Sequence, residues 1–414
     1  MALFLQGKKD KMEKKIELLA PAGDIEKLKT ALHFGADAVY FAGKNYGLRA
    51  FGTNFEETSI KETMDIIHSY GKKGYVTLNV YARHNDFDGL KDYVQTLIDA
   101  NVDAVIISDL GIFSFVKSNF PNLPIHVSTQ ANTTNAYAAK MWQNLGAERV
   151  VLARELTINE IENISKNNPN LELEAFVHGA MCISYSGRCL LSNYLTNRDS
   201  NHGECVQACR WKYSVTEETR PDEHFDLTED TRGTYIFNSK DLCLIDYVDK
   251  IYDAGVLSFK VEGRMKSPYY VANVVNAYRR AIDCIDNCSS EKMEMLKNEL
   301  VKTSHRKYTT GFYFGAKDKE CLESSYPIQT HEFMALVVSD YDGEKVLIEQ
   351  RNRFKVGDEL EVLSPNEYFN EKIVVGLMKN EKGEVVEDAK NVQEKLYLYT
   401  NIPLTKNDIL RKKV

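Results

Sequence analysis

The chain contains no apolar run approaching the roughly eighteen residues that a membrane-spanning helix requires. Its opening, residues 1–15, is polar and lysine-rich after MALFL. It carries no long apolar stretch and no small-residue cleavage site, so it does not read as a secretory leader. These two absences point to the cytoplasm, and to reduced thiols for the eight cysteines. Excess positive charge is also missing. The formal net charge is −8, which offers no general attraction to a polyanion, so any RNA contact would need local basic patches. No segment is of low complexity. Cysteine pairs two residues apart, the usual mark of a zinc ribbon, do not occur.

What is present is a βα rhythm. With 414 residues and 43% hydrophobic content, the chain is long enough for two or three domains with a sizeable core. Continuous apolar runs at 16–20, 38–42, 75–80, 104–108, 125–128, 149–153, 173–177 and 258–261 read as strands covered on both faces. Amphipathic stretches at 24–34, 55–70, 87–100 and 157–166 lie between them. GADAVYF, NVDAVII and AGVLSFK repeat one theme: a helix end, a Gly or Asn, then a buried strand. Eight such units predict an α/β fold, a (β/α)8 TIM-like barrel, with a doubly wound sheet as the alternative.

The rhythm breaks at about 178–232, a cysteine-rich insertion before the last strand. Within it, the runs 211–216 and 234–238 are expected to pair. From about 331 to 414, Asp/Gly punctuation and alternation predict a small antiparallel, β-barrel-like domain. Its charges nearly balance, about 13 basic against 16 acidic, so it is no obvious polyanion binder. The expected organisation is therefore a flexible lead (1–15), a catalytic barrel (16–330) with its insertion, and the β domain (331–414).

A barrel keeps its chemistry just past the C-terminal ends of its strands. Those positions hold Arg49, Asn79, Asp109, Gln130, Arg154, Glu155, His178 and Arg264. Arg49, Arg154 and Arg264 suit a multiply charged anion. The competing reading pairs them with Glu155 and Glu262 at the rim. Asn79 and Gln130 are further substrate contacts. His178, Glu155 and Asp109 are the acid–base candidates, although Asp109, like Asn135, equally suits a helix cap. Tyr46, Tyr81 and Tyr185 could offer a stacking face. The basic groups Arg279–Arg280, 305–307, and Arg351 with Arg353 could hold a nucleic-acid body.

The densest signal is the run of Cys182, Cys189, Cys205 and Cys209, with glycines Gly179, Gly187 and Gly203 among them. Soft thiolates suit zinc or an iron–sulfur cluster, and the pattern alone leaves both open. Cys243 is the reserve ligand; Cys284, Cys288 and Cys321 read as helix or core thiols.

EAFVHGAMCISYSGRCLLS (174–192) resembles the signature of the collagenase-like peptidase family U32. ELLAPAGDIEKLKTALHFGADAVYFAGKNYGLRAFGTNF, GECVQACRWKY and FKVEGRMKSPYYVANVVNAYRRAID are similar to that family's other blocks. The resemblance covers nearly the whole chain. At this length, with a terminal β domain, it points to the prephenate-dependent tRNA uridine hydroxylases within the family. It implies a [4Fe-4S] cluster on Cys182, Cys189, Cys205 and Cys209. It further implies prephenate as hydroxyl donor, and 5-hydroxyuridine formed at the wobble position of the tRNA anticodon loop without molecular oxygen. A peptidase acting on collagen-like substrates is the alternative, although neither a metalloprotease helix motif nor a nucleophile elbow occurs. A non-catalytic metal-stabilised binding protein is a third class.

Overall fold

In the computed structural model, the described residues are 16–43, 46, 55–182, 184–202, 204–213, 216–217, 220–224, 229–230, 233–235, 240–315 and 328–414. Eight parallel strands form a closed ring: β1 (Glu17–Pro21), β2 (Ala38–Phe41), β3 (Lys73–Leu78), β4 (Ala104–Ile107), β5 (Ile125–Val127), β6 (Arg149–Val151), β7 (Glu172–Ala180) and β8 (Val256–Val261). Each pairs with the next, and β8 returns to β1 through Glu17↔Ser258 and Leu18↔Phe259. This is the expected barrel, and the doubly wound alternative falls because such a sheet has two free edges.

The punctuation works as the sequence suggests. Asp24 caps Ile25–His33 by accepting from the Lys27 amide, and Thr157 with Glu160 closes a capping box on Ile158–Asn167. Gly35, Asn101 and Gly255 stand between helix and strand at φ of +100°, +56° and +97°. Only Gly, or more rarely Asn, takes that left-handed turn cheaply. Behind the strands, an apolar core including Leu18, Phe41, Val76, Val105, Val150 and Phe259 packs against the helices. Inside the ring lie Leu19, Ala38, Tyr40, Tyr75, Ala104 and Ile106.

The insertion falls between β7 and β8. Within it, Lys212–Tyr213 pairs antiparallel with Gly233–Tyr235, as the apolar runs suggest. The segment ends in a short strand, Asp241–Cys243, antiparallel to the last turn of β7. The helix Pro268–Asp283 then covers the barrel, and Cys284 and Cys288 at its end form a disulfide. That pair corrects the expectation of reduced thiols: their four-residue spacing brings both sulfurs to one side of the helix end.

The C-terminal unit has its own core, with Val337, Ile348, Leu360, Val362, Leu396, Leu398 and Leu410 fully or nearly fully buried. Its seven-stranded antiparallel sheet runs from Lys372–Val374 to Leu377–Asn380, and those two edge strands do not pair with each other. The expected barrel-like closure is therefore not made by a ladder among the described residues. No helix among them is long and apolar enough to cross a membrane.

Candidate active site

One cavity of about 530 Å³ opens at the C-terminal end of the barrel, beneath the insertion. Its walls come from strand ends, as barrel geometry requires. All four signature cysteines, Cys182, Cys189, Cys205 and Cys209, line it. Asn79, Gln130, Arg154 and Arg264 line it as well.

Local hydrogen bonds bring the thiols there. Gly179 ends β7 at φ +112°, where a β-carbon would fall 2.5 Å from the Glu262 carbonyl oxygen. Only glycine lets the chain turn so closely past β8 into the first cysteine. Ser192 accepts from the Val206 amide at 3.2 Å, which ties the helix Leu191–Thr196 to the segment bearing Cys205. Ser200 donates to the Cys189 carbonyl at 2.5 Å. Asn132 holds the Ser186 carbonyl at 3.2 Å, and the Tyr81 amide donates to Asn201 at 3.4 Å. The insertion is thus fastened to the loops after β3 and β5.

Desolvation raises the Cys182 thiol above its ordinary value, and neighbouring Cys189 and Cys205 add to the rise. A metal would remove that penalty by taking the thiolates directly. Among the described residues, no three potential ligands converge on a point fit for a single ion. Four soft thiols around one cavity are a donor set that suits either zinc or an iron–sulfur cluster.

The polar wall is cationic. Arg154, Lys260, Arg264 and Lys266 face Glu262, the one carboxylate among the described lining residues. The Arg154 guanidinium carbon lies 4.0 Å from the centre of the Phe176 ring, and the side chain donates to the Ala180 carbonyl at 2.8 Å. Its buried Nε has no partner among the described residues. The Asn79 amide donates to Gln130 Oε1 at 2.6 Å, and Gln130 packs against Gly187. Tyr40 donates to the Val261 carbonyl at 3.0 Å and reaches Glu262 at 3.4 Å. Met265, which lines the cavity, is exposed, as are Tyr185, Leu190, Tyr194 and Trp211 of the insertion, and Arg188 lies 4.9 Å from the Tyr81 ring centre.

Other expected residues lie elsewhere. His178 does not line the cavity. It is buried among Tyr270, Tyr278 and Tyr308, 3.4 Å from the Tyr278 hydroxyl, and burial with nearby His305 and Lys266 lowers its pKa to about 3. Asp109 is a helix cap, accepting from the Ile112 amide at 3.0 Å. Asn135 likewise caps Ala136–Asn144. Glu155 does not line the cavity, and Arg49 and Cys321 lie outside the described residues. Tyr46 packs on Tyr93. The reserve ligand Cys243 is also away from the cavity; burial raises its pKa to about 11, against the lowering effect of hydrogen bonds from the Ile245 amide and Tyr278.

The basic groups considered for nucleic acid are spent on structure. Arg279 pairs with Asp37 and Asp283, and Arg280 donates to the carbonyls of Ser364, Pro365 and Asn366. His305 stacks on Tyr308, and Arg306 pairs with Asp241. Arg351 pairs with Glu26 and Glu349, and Arg353 with Asp388. Conversely, Lys260, Lys266, Tyr40 and Phe176 were not expected in the site. A lysine inside the apolar β8 run was the available signal.

Comparison with known proteins adds a second line. Residues 23–323 match the model of peptidase family U32, and 329–411 that of the peptidase family U32 C-terminal domain. The chain is 42% identical to "tRNA hydroxylation protein P1" of Bacillus subtilis over 85% of its length and 84% of the relative's. It is 37% identical to "tRNA hydroxylation protein P" of Escherichia coli, covering 90% of this chain and 91% of that one. It is also 32% identical to a "Collagenase" of Porphyromonas gingivalis, over 73% and 74% respectively.

Proposed function

The chain belongs to peptidase family U32, and on that premise we propose that it is an RNA hydroxylase acting on tRNA. The observation that carries this reading is the sharing of one barrel-mouth cavity by four cysteines and four cationic side chains. The relatives named for tRNA hydroxylation, similar over most of their length, support it. The specific reaction proposed is conversion of the wobble uridine in the anticodon loop to 5-hydroxyuridine, with prephenate as hydroxyl donor and no molecular oxygen. The exchange balances as uridine C5–H plus R–OH giving C5–OH plus R–H. Uridine loses two electrons and the donor gains them, so no external oxidant is needed.

Cys182, Cys189, Cys205 and Cys209 would hold a [4Fe-4S] cluster. When bound, such a group supplies one-electron chemistry at the cavity. The chain's own residues do the rest. Arg154 and Arg264 would bind carboxylates of the donor, with Arg154 held against the Phe176 ring. Asn79 and Gln130 offer amide contacts to a base. A uridine must leave its stack to enter so enclosed a site, and the exposed Tyr185, Tyr194 and Trp211 offer it aromatic faces on the way. The insertion covering the mouth limits water.

The peptidase reading finds less support. No histidine is among the described residues lining the cavity, so its thiols lack the base that a cysteine nucleophile needs. The deciding experiment is nucleoside mass spectrometry of tRNA from cells with and without the gene. Loss of 5-hydroxyuridine and its derivatives, restored by complementation, is expected. Unchanged tRNA together with peptide cleavage by the purified protein would overturn the proposal.

A further inference from the structure

The cavity floor is a buried ammonium. Lys260 sits in β8, is 4% exposed and lines the cavity. Its Nζ lies 2.7 Å from Glu174 Oε1, with the Tyr40 ring centroid at 4.5 Å and that of Phe176 at 5.5 Å. An ammonium has three hydrogens to donate. Glu174 takes one, and among the described residues no other oxygen accepts from Lys260.

Beneath it is a layer whose groups are committed to one another. Glu174 is fully buried, and its Oε2 accepts from Arg149 at 3.1 Å and from Ser258 at 3.2 Å. Arg149 also donates to Glu17 at 2.5 Å, and Tyr75 donates to Glu17 at 2.7 Å. Burial alone would push the Glu174 carboxyl up, but Lys260 and Arg149 hold it below the usual carboxylate range. Glu17, Glu172 and Glu174 face Arg149 and Lys260, so the cations of this layer are already matched by carboxylates. A purely structural pair could be replaced by apolar side chains at little cost. Beyond Glu174 the ammonium meets only the Tyr40 and Phe176 rings, and a donor facing a ring at the base of a cavity gains when an oxygen acceptor arrives. Arg154 shares the Phe176 ring with Lys260, so the upper and lower cations are neighbours.

We propose that Lys260 is the inner anchor for one carboxylate of a small dicarboxylate bound in the barrel mouth, and that Glu174, held by Arg149, is the residue that positions it. The second carboxylate falls to Arg154 and Arg264. This inference rests on the proposed donor being a dicarboxylate, and extends that reading from the rim to the floor.

The test is calorimetric binding of prephenate, with phenylpyruvate as a monocarboxylate probe, to the anaerobically purified full chain. The charge-balanced variant Lys260→Met/Glu174→Gln should keep its fold and weaken prephenate binding at least tenfold. Phenylpyruvate binding should change far less. Lys260→Gln, which keeps a donor toward Glu174, serves as a second variant should the double variant not fold, and should lose prephenate affinity similarly. In turnover, Glu174→Gln should raise KM for prephenate several-fold and leave kcat nearly unchanged, a split that general destabilisation would not give. Unchanged prephenate affinity in either folded Lys260 variant overturns the inference and leaves the RNA hydroxylase reading standing. Absence of prephenate binding to the wild type overturns the donor assignment, and this inference with it.

Discussion

At the scale of single residues, type and neighbourhood diverge most at His178. A histidine just past a barrel strand and four residues before a cysteine reads as an acid or base. Yet its place beside Gly179, where β7 turns, swings it into a tyrosine-lined pocket. Sequence shows the strand end but not which way the ring points there. Its depressed pKa has a measurable consequence. A free histidine takes a proton near pH 6.5, whereas the folded chain resists protonation of His178 down to about pH 3. Between those values the unfolded state binds more protons, so this contribution is fully present above about pH 6.5 and is lost as pH falls toward 3. The slope is at most about 1.4 kcal/mol per pH unit. Urea denaturation between pH 7 and pH 5 should therefore show a steeper loss in wild type than in His178→Phe. Equal slopes would mean that His178 titrates normally. The same burial implies that activity across pH 6–8 does not report His178.

At the scale of elements, the barrel was largely legible because its signals are local. Buried strands are apolar runs, helix starts carry Asp, Thr or Asn, and the turn between helix and strand carries Gly or Asn. The insertion was legible only as a break and a set of cysteines. Which thiols share a cavity depends on long-range ties such as Asn132 to Ser186 and Ser192 to Val206. Cys209 lines the cavity while Cys243 sits against Tyr278, so the two ligand choices are separable by experiment. Anaerobically purified wild type should carry about four irons and four sulfides per chain. Cys209→Ser, like Cys205→Ser, should lose most of both. Cys243→Ser should keep them, with at most a lower melting temperature. Iron retained in Cys209→Ser and lost in Cys243→Ser would exchange the two assignments, and stoichiometric zinc in wild type would remove the cluster altogether.

At the scale of the whole molecule, charge could be counted in the sequence but not placed. A net charge of −8 leaves no general field for RNA. Arg279 and Arg306 brace the barrel and Arg280 and Arg351 join the two units, while the exposed Arg353 pairs with Asp388 within the C-terminal unit. One join is Arg411, fully buried in the last strand, Ile409–Lys413. It reaches Glu299 at 2.6 Å, Asn370 at 2.6 Å, Asn273 at 2.9 Å and Glu361 at 2.7 Å. Glu299 and Asn273 belong to the barrel unit; Glu361 and Asn370 belong to the C-terminal unit. Lys302 adds contacts to Glu299 and Glu361 at 2.6 and 2.8 Å. Removing Arg411 leaves two carboxylates at the seam with only Lys302 between them, and breaking a buried pair in this way costs about 3–5 kcal/mol. Because each unit has its own core, that loss should fall on the seam rather than on either domain. Arg411→Ala should thus resolve one calorimetric unfolding transition into two. Prephenate affinity, set within the barrel, should stay close to wild type, while tRNA turnover should fall if the substrate spans both units. A single, merely shifted transition would show that the domains are coupled chiefly through other contacts, such as His33 to Asp408 and Arg280 to the 364–366 carbonyls.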